Sequence, residues 1–201
     1  MVRTTFALGA LCALAFAGCS NKVEPPPDPV VTSDVEEEPG KIRATEAVTV
    51  SATVVSVDQK TRMVTLLGSD GEEIEFRADD QVRNLAQVKK GDIVSATYYE
   101  SLAIDLKKPG EAKPGVVVGE DAARAKVGEK PGAAAAESVR VTATVVAVDH
   151  KKGTITLKGP KGNRRTFPVK NPEHLKVVKV GDLVEATYTE AVGIEVNPPA
   201  K

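Results

Sequence analysis

Along residues 48–58, "VTVSATVVSVD", apolar and small polar positions alternate: Val48, Val50, Ala52 and Val54 fall on one face. The parity then shifts to Val55 and Val57. Strict alternation predicts a strand, and a parity switch within it predicts a bulge or bend. Asp58-Gln59-Lys60 reads as a turn and "MVTLLG" as the returning strand. The Asp-Gly of "SDGE" (69–72) suits a tight hairpin turn. "EIEFRA" then reads as a third strand with Ile74 and Phe76 facing inward. "DDQVRNLAQV" breaks the alternation and predicts a helical turn that places Val82 and Leu85 under the strands. A Gly91-Asp92 turn leads into a fourth strand with Val94, Ala96 and Tyr98 on one face, and "LAIDL" reads as a short fifth.

The same phrase recurs. "ATVVAVDHKKGTITLKG" (143–159) repeats "ATVVSVDQKTRMVTLLG" (52–68), and with one single-residue gap near Gln81 roughly 25 of about 58 positions coincide. The chain therefore holds an internal duplication, about Val48 to Leu106 and Val139 to Val196. Five strands with a helical turn between the third and fourth is the order of an OB barrel, with an SH3-like barrel as the alternative. The expected fold class is all-β, two tandem small five-stranded barrels over residues 48–106 and 138–197. Residues 20–47, Pro-rich and acidic, read as a disordered tether. Residues 107–137 read as a Gly/Pro/Ala linker with one or two helical turns in "GEDAARAKVG".

Composition adds a thin core. Aromatic residues make up 3% of the chain and Trp is absent, so Val, Thr and Ala supply the apolar surface. At the N-terminus, Arg3 precedes an apolar run from Phe6 to Phe16, too short to span a bilayer and laid out as an export signal over 1–18. "FAGC" (16–19) resembles the lipobox of bacterial lipoproteins, with Phe16 where Leu is usual. That resemblance implies a lipidated Cys19 as the first mature residue. Ser20 resembles the residue that follows it in lipoproteins sorted to the periplasmic face of the outer membrane. Cys12 would leave with the signal, so the mature chain would have neither disulfide nor free thiol.

The strand layout and the Lys-x-Gly-Asp turn resemble small periplasmic OB barrels. Among these are the copper-efflux metallochaperones of the CusF type and other bacterial envelope proteins with one or two such barrels. The metallochaperones hold Cu(I) with a His, two Met thioethers and a nearby Trp, ligands that suit a soft cation. This chain has no Trp and, beyond Met1, only Met63. His150 and His174, expected in exposed turns, stand where the first copy has Gln59 and Asn84. They are the candidate metal residues of the alternative, metal-chaperone reading.

Both copies keep Asp92/Asp182, Tyr98/Tyr188 and Glu100/Glu190, but no nucleophile, phosphate loop or metal cluster accompanies them. No catalytic residue and no cofactor is expected. Charge separates the copies more sharply. Val48–Leu106 carries 6 Lys/Arg and 10 Asp/Glu, about −4, whereas Val139–Val196 carries 10 and 6, about +4. The change centres on the hairpin: Asp70, Glu72 and Glu73 give way to Lys161, Arg164 and Arg165, with Lys158 replacing Leu67. Lys158, Lys161, Arg164 and Arg165 are the candidate ligand-binding residues. Their expected partner is an anionic envelope component, or else the acidic copy docked against the basic one. Nucleic acid is not expected, because single-strand binders stack bases on aromatic side chains that are scarce here.

Overall fold

A computed structural model describes residues 23–199; Cys19 and the export-signal segment lie outside them. The described residues are predominantly β. In chain order the strands are β1 (Val30–Glu38), β2 (Lys41–Val57), β3 (Met63–Gly68), β4 (Glu73–Arg77), β5 (Ile93–Lys107), β6 (Gly115–Arg124), β7 (Gly132–Asp149), β8 (Thr154–Lys158), β9 (Arg164–Pro168) and β10 (Leu183–Asn197). A 3-10 turn (Leu85–Gln87) precedes β5, and a short helix α1 (Pro172–Val177), capped by the Asn171 side chain, precedes β10. The strands form one antiparallel sheet in the order β4-β3-β2-β5-β10-β7-β8-β9, with β1 added to β2 and β6 to β7.

The sheet is open rather than two closed barrels, and the reason lies in strand length. "LAIDL" is not a separate fifth strand. It continues the fourth without a break into the 15-residue β5, and its twin does the same in β10. These two long strands pair with each other from Ile93↔Asn197 to Lys107↔Leu183. The edge that barrel closure would use is thus spent joining the halves. Equivalent residues Glu100 and Glu190 lie directly opposite one another, so a pseudo-twofold axis passes between them.

Within each half the anticipated bend is present. The β2–β3 register shifts between Val54 and Ser56, and β7–β8 shifts between Val145 and Ala147. The Gly-Asp turn extends the neighbouring ladder one step here. Val54 N donates to Asp92 O (2.8 Å) and Gly91 N to Val54 O (2.8 Å), a pattern repeated by Val145, Asp182 and Gly181. The "SDGE" turn also forms, with Gly71 at φ +81° and Glu72 N donating to Asp70 Oδ1 at 2.9 Å.

Three expectations need correction. Ile74 and Phe76 share the face of buried Leu66 and Val64 through register, yet they are 60% and 45% exposed. They stand on the terminal strand, with no strand beyond to cover them. Leu85 is buried, but Val82 beside it is exposed. Finally, both segments read as irregular contain strands. The expected tether holds β1 and the start of β2, which pair from Val30↔Thr49 to Glu38↔Lys41 around a Pro39-Gly40 turn. The expected linker holds β6 and the Ala133–Ala136 run of β7. Alanine prefers helix in isolation, but here β6 and β10 supply hydrogen bonds on both edges, and pairing outweighs propensity.

Two small cores lie at the sheet's ends. Val54, Val64, Leu66, Ala78, Leu85 and Val88 form the first, with Val196 from the other half packed against it. Ala143, Val145, Leu175 and Leu183 are the buried apolar residues of the second. The halves also clip onto each other. The β1–β2 turn meets α1, where Gly40 N donates to His174 Nδ1 at 3.2 Å. The β6–β7 loop meets the first half, where Asn84 Nδ2 donates to Lys126 O at 2.7 Å.

Candidate functional site

The basic hairpin is built from β8 and β9. Register places Lys158 opposite Arg164 and Leu157 opposite Arg165, while Lys161 lies in the turn, where Gly162 adopts φ +83°. Like charges directly opposite on a ladder repel. All four cations are exposed, and among the described residues none takes part in an ion pair or side-chain hydrogen bond. The strand order sets this hairpin and the acidic Asp70–Glu73 hairpin at opposite ends of the sheet, so the two do not neutralise each other.

The joined sheet creates a second feature. Following register from strand to strand, Glu46 faces Glu100, Glu100 faces Glu190, Glu190 faces Glu137 and Glu137 faces Glu120. Five carboxylates therefore cross the sheet in one row. On the same face, neighbouring rows carry exposed Val35, Leu102, Val139 and Val118. At the axis Tyr98 Oη donates to Glu100 Oε1 (2.6 Å) and lies 3.1 Å from Glu190 Oε1. Tyr188 Oη donates to the same two oxygens at 2.7 and 2.8 Å. Two phenol protons thus serve four short contacts, which offsets the repulsion of facing carboxylates.

The electrostatics of this cluster follow from those contacts. Hydrogen bonds from Tyr98, then from Tyr188, hold the Glu100 carboxyl below the ordinary glutamate range. The hydrogen bond to Glu100 is also the main cause of the raised Tyr98 and Tyr188 values. Both shifts move the groups away from neutrality, the reverse of what a general acid or base near pH 7 requires. The arrangement favours a structural pairing of the halves.

The turn aspartates, read from sequence as turn-fixing, are buried. Asp92 Oδ2 accepts from Lys89 N (2.8 Å) and pairs with Lys130; Asp182 Oδ2 accepts from Lys179 N (3.0 Å) and from Lys108 Nζ (3.0 Å). Lys130 comes from the β6–β7 loop and Lys108 follows β5, so each aspartate is met by a cation from beyond its own duplicated unit. Nothing in the repeat signals this, because neither lysine has a counterpart in the other copy.

His150 is exposed in the β7–β8 turn, as expected. His174, expected in an exposed turn, is instead buried on α1. Its Nδ1 accepts from Gly40, which leaves Nε2 as the protonated nitrogen, 3.6 Å from Glu37 Oε2. With one nitrogen already committed and no group of three or more candidate ligands among the described residues, His150 and His174 do not form a coordination set on these contacts. Among the described residues no helix is long and apolar enough to cross a membrane. No family model, curated protein or solved structure matches the chain.

Proposed function

We propose that the protein is a non-catalytic binding protein of the bacterial cell envelope. In this reading a lipidated Cys19 holds it at the periplasmic face of the outer membrane. The β8–β9 hairpin captures an anionic partner: lipid headgroups, a charged saccharide or an acidic protein surface. One observation carries the proposal: Lys158, Lys161, Arg164 and Arg165 are concentrated on one exposed hairpin, two of them directly opposite, with no ion-pair partner among the described residues. A cation cluster maintained against its own repulsion raises the local concentration of anions and accelerates their encounter. The duplicated strand order and the shared bulge favour a finer description of each half as an OB-like unit opened into a common sheet.

The test is a binding measurement. Association with phosphatidylglycerol vesicles, or with an acidic polysaccharide, should weaken as salt rises from low to physiological strength. It should fall severalfold in the Arg164→Glu, Arg165→Glu variant. Association that ignores both salt and the charge reversal would contradict the proposal.

A further inference from the structure

The strongest feature the hairpin reading leaves unused is a cavity of about 450 Å³ beside the first core, within the ~300–1,000 Å³ typical of small-molecule sites. Its floor is the end of the joined sheet, with Ala96 of β5 and Ile194 of β10, and Ala133 of β7 at its exposed margin. Phe76 and Val82, two of the three apolar side chains that escape the core, line it as well. Their exposure is thereby given a use, since a ligand seated here would cover them.

The cavity is a product of divergence between the copies. On the opposite side the β1–β2 connection is the two-residue Pro39-Gly40 turn. Here Gly40 lies so close that an added Cβ would sit 3.2 Å from Leu106 Cβ and 3.5 Å from Val177. The twin of Ala133 is Ile42, which is larger. Against the first half the equivalent β6–β7 connection runs from Ala125 to Pro131, seven residues between Arg124 and Gly132, and stands as a wall.

That wall is fastened. Besides the bond to Lys126, Asn84 Oδ1 accepts from Gly128 N at 3.3 Å. Lys130 reaches Gln87 O and Asp92, and Val196 N donates to Pro131 O at 3.0 Å. A preformed cavity loses less ordering entropy on binding than one that must assemble.

Its charge is one-sided. Arg83 and Arg124 both line the cavity, and no Asp or Glu does. Among the described residues neither guanidinium has an ion-pair or hydrogen-bond partner. We propose that this cavity binds a single-chain anionic amphiphile, a fatty carboxylate. Its hydrocarbon lies over Ala96, Ala133, Phe76 and Ile194, and its carboxylate is held by Arg83 and Arg124. A guanidinium presents a planar fork that matches a carboxylate, and the apolar remainder of the site suits an alkyl chain rather than a sugar or nucleotide.

The test titrates the full chain calorimetrically with dodecanoate and with dodecanol. One site per chain is expected, since the seven-residue connection that walls the cavity is replaced on the opposite side by the two-residue Pro39-Gly40 turn. Arg83→Gln with Arg124→Gln should weaken dodecanoate by about tenfold or more and leave dodecanol unchanged. Ala133→Leu at the exposed margin and Ala96→Phe deeper in should each abolish both, with circular dichroism confirming the fold; the margin variant decides if the deeper one does not fold. Vesicles of phosphatidylglycerol separate free amphiphile from membrane lipid. Vesicle association that survives Ala133→Leu but fails with Arg164→Glu, Arg165→Glu belongs to the hairpin and leaves the cavity assignment intact. Absence of saturable dodecanoate binding, two sites per chain, or equal loss of dodecanoate and dodecanol in the arginine variant would overturn the proposal.

Discussion

Replacing Asp92 by Ala removes a carboxylate whose side chain is 4% exposed, along with both of its partners' contacts. The Lys89 amide loses a buried acceptor, which costs about 1–3 kcal/mol. Lys130 loses its counter-charge; breaking a fully buried pair costs about 3–5 kcal/mol. Lys130 remains 25% exposed, so water recovers part of that, and the low end of the range applies. Taking the low end of both, the sum is about 4 kcal/mol, or a fall in Tm of roughly 8–16 °C for a chain of this size. Asp182 provides an internal control. It has the same burial and the same amide contact, but its partner Lys108 is 54% exposed. Urea denaturation of Asp92→Ala, Lys130→Met and the double variant should give a coupling of about 1.5–2.5 kcal/mol. The Asp182→Ala, Lys108→Met cycle should give less than about 1 kcal/mol. Equal couplings, or a smaller one at Asp92, would refute the idea that burial of the cation sets the strength of these links.

Three further outcomes follow from the same contacts. Gly40→Ala should destabilise by about 1–3 kcal/mol, because a left-handed residue gains a Cβ that presses on Leu106. Gly71→Ala, at the same φ in open space, should cost only about 1 kcal/mol; denaturation midpoints of the two would show the difference. In carboxyl NMR titrations, Tyr98→Phe with Tyr188→Phe should return Glu100 toward the ordinary glutamate pKa. A depressed folded-state pKa means Glu100 adds stability above the unfolded glutamate value, lost as pH falls through the folded one. The raised tyrosines act at the other end: their contribution is complete below the unfolded phenol value near 10 and is lost as pH rises toward the folded value. The double Phe variant should flatten both limbs of the stability–pH curve.

Much of each half was legible in sequence because its signals are local. The parity switch at Val54–Val55 marks the bulge, Asp70-Gly71 marks the hairpin, and Gly91-Asp92 marks the turn into the long strand. What the halves do to each other was not legible. Nothing in "YYESLAIDL" distinguishes a strand that ends and restarts from one that runs on, since both alternate alike. The outcome depends on whether β10 is there to pair. Likewise "KIRATEA" alternates Ile42, Ala44 and Glu46 as a half-exposed strand does, yet its charges and the preceding prolines read as a tether. The row of five glutamates exists only in register across five strands and is invisible along the chain. The cationic hairpin was visible from charge alone, whereas the cavity depended on a loop length whose meaning appears only beside its two-residue twin.

The two copies are joined by the direct pairing of β5 with β10. Cysteines introduced at Ser101 and Thr189, which face each other, should lie within the ~4.4–6.8 Å Cα separation a disulfide needs. Both native cysteines, Cys12 and Cys19, precede residue 23 and can be replaced. Mild oxidation should then give an intramolecular bond in the monomer. A Ser101–Glu185 cysteine pair, offset by four residues or about 13 Å along the strand, should stay reduced. Equal oxidation of both pairs, or cross-links only between chains, would contradict the shared sheet.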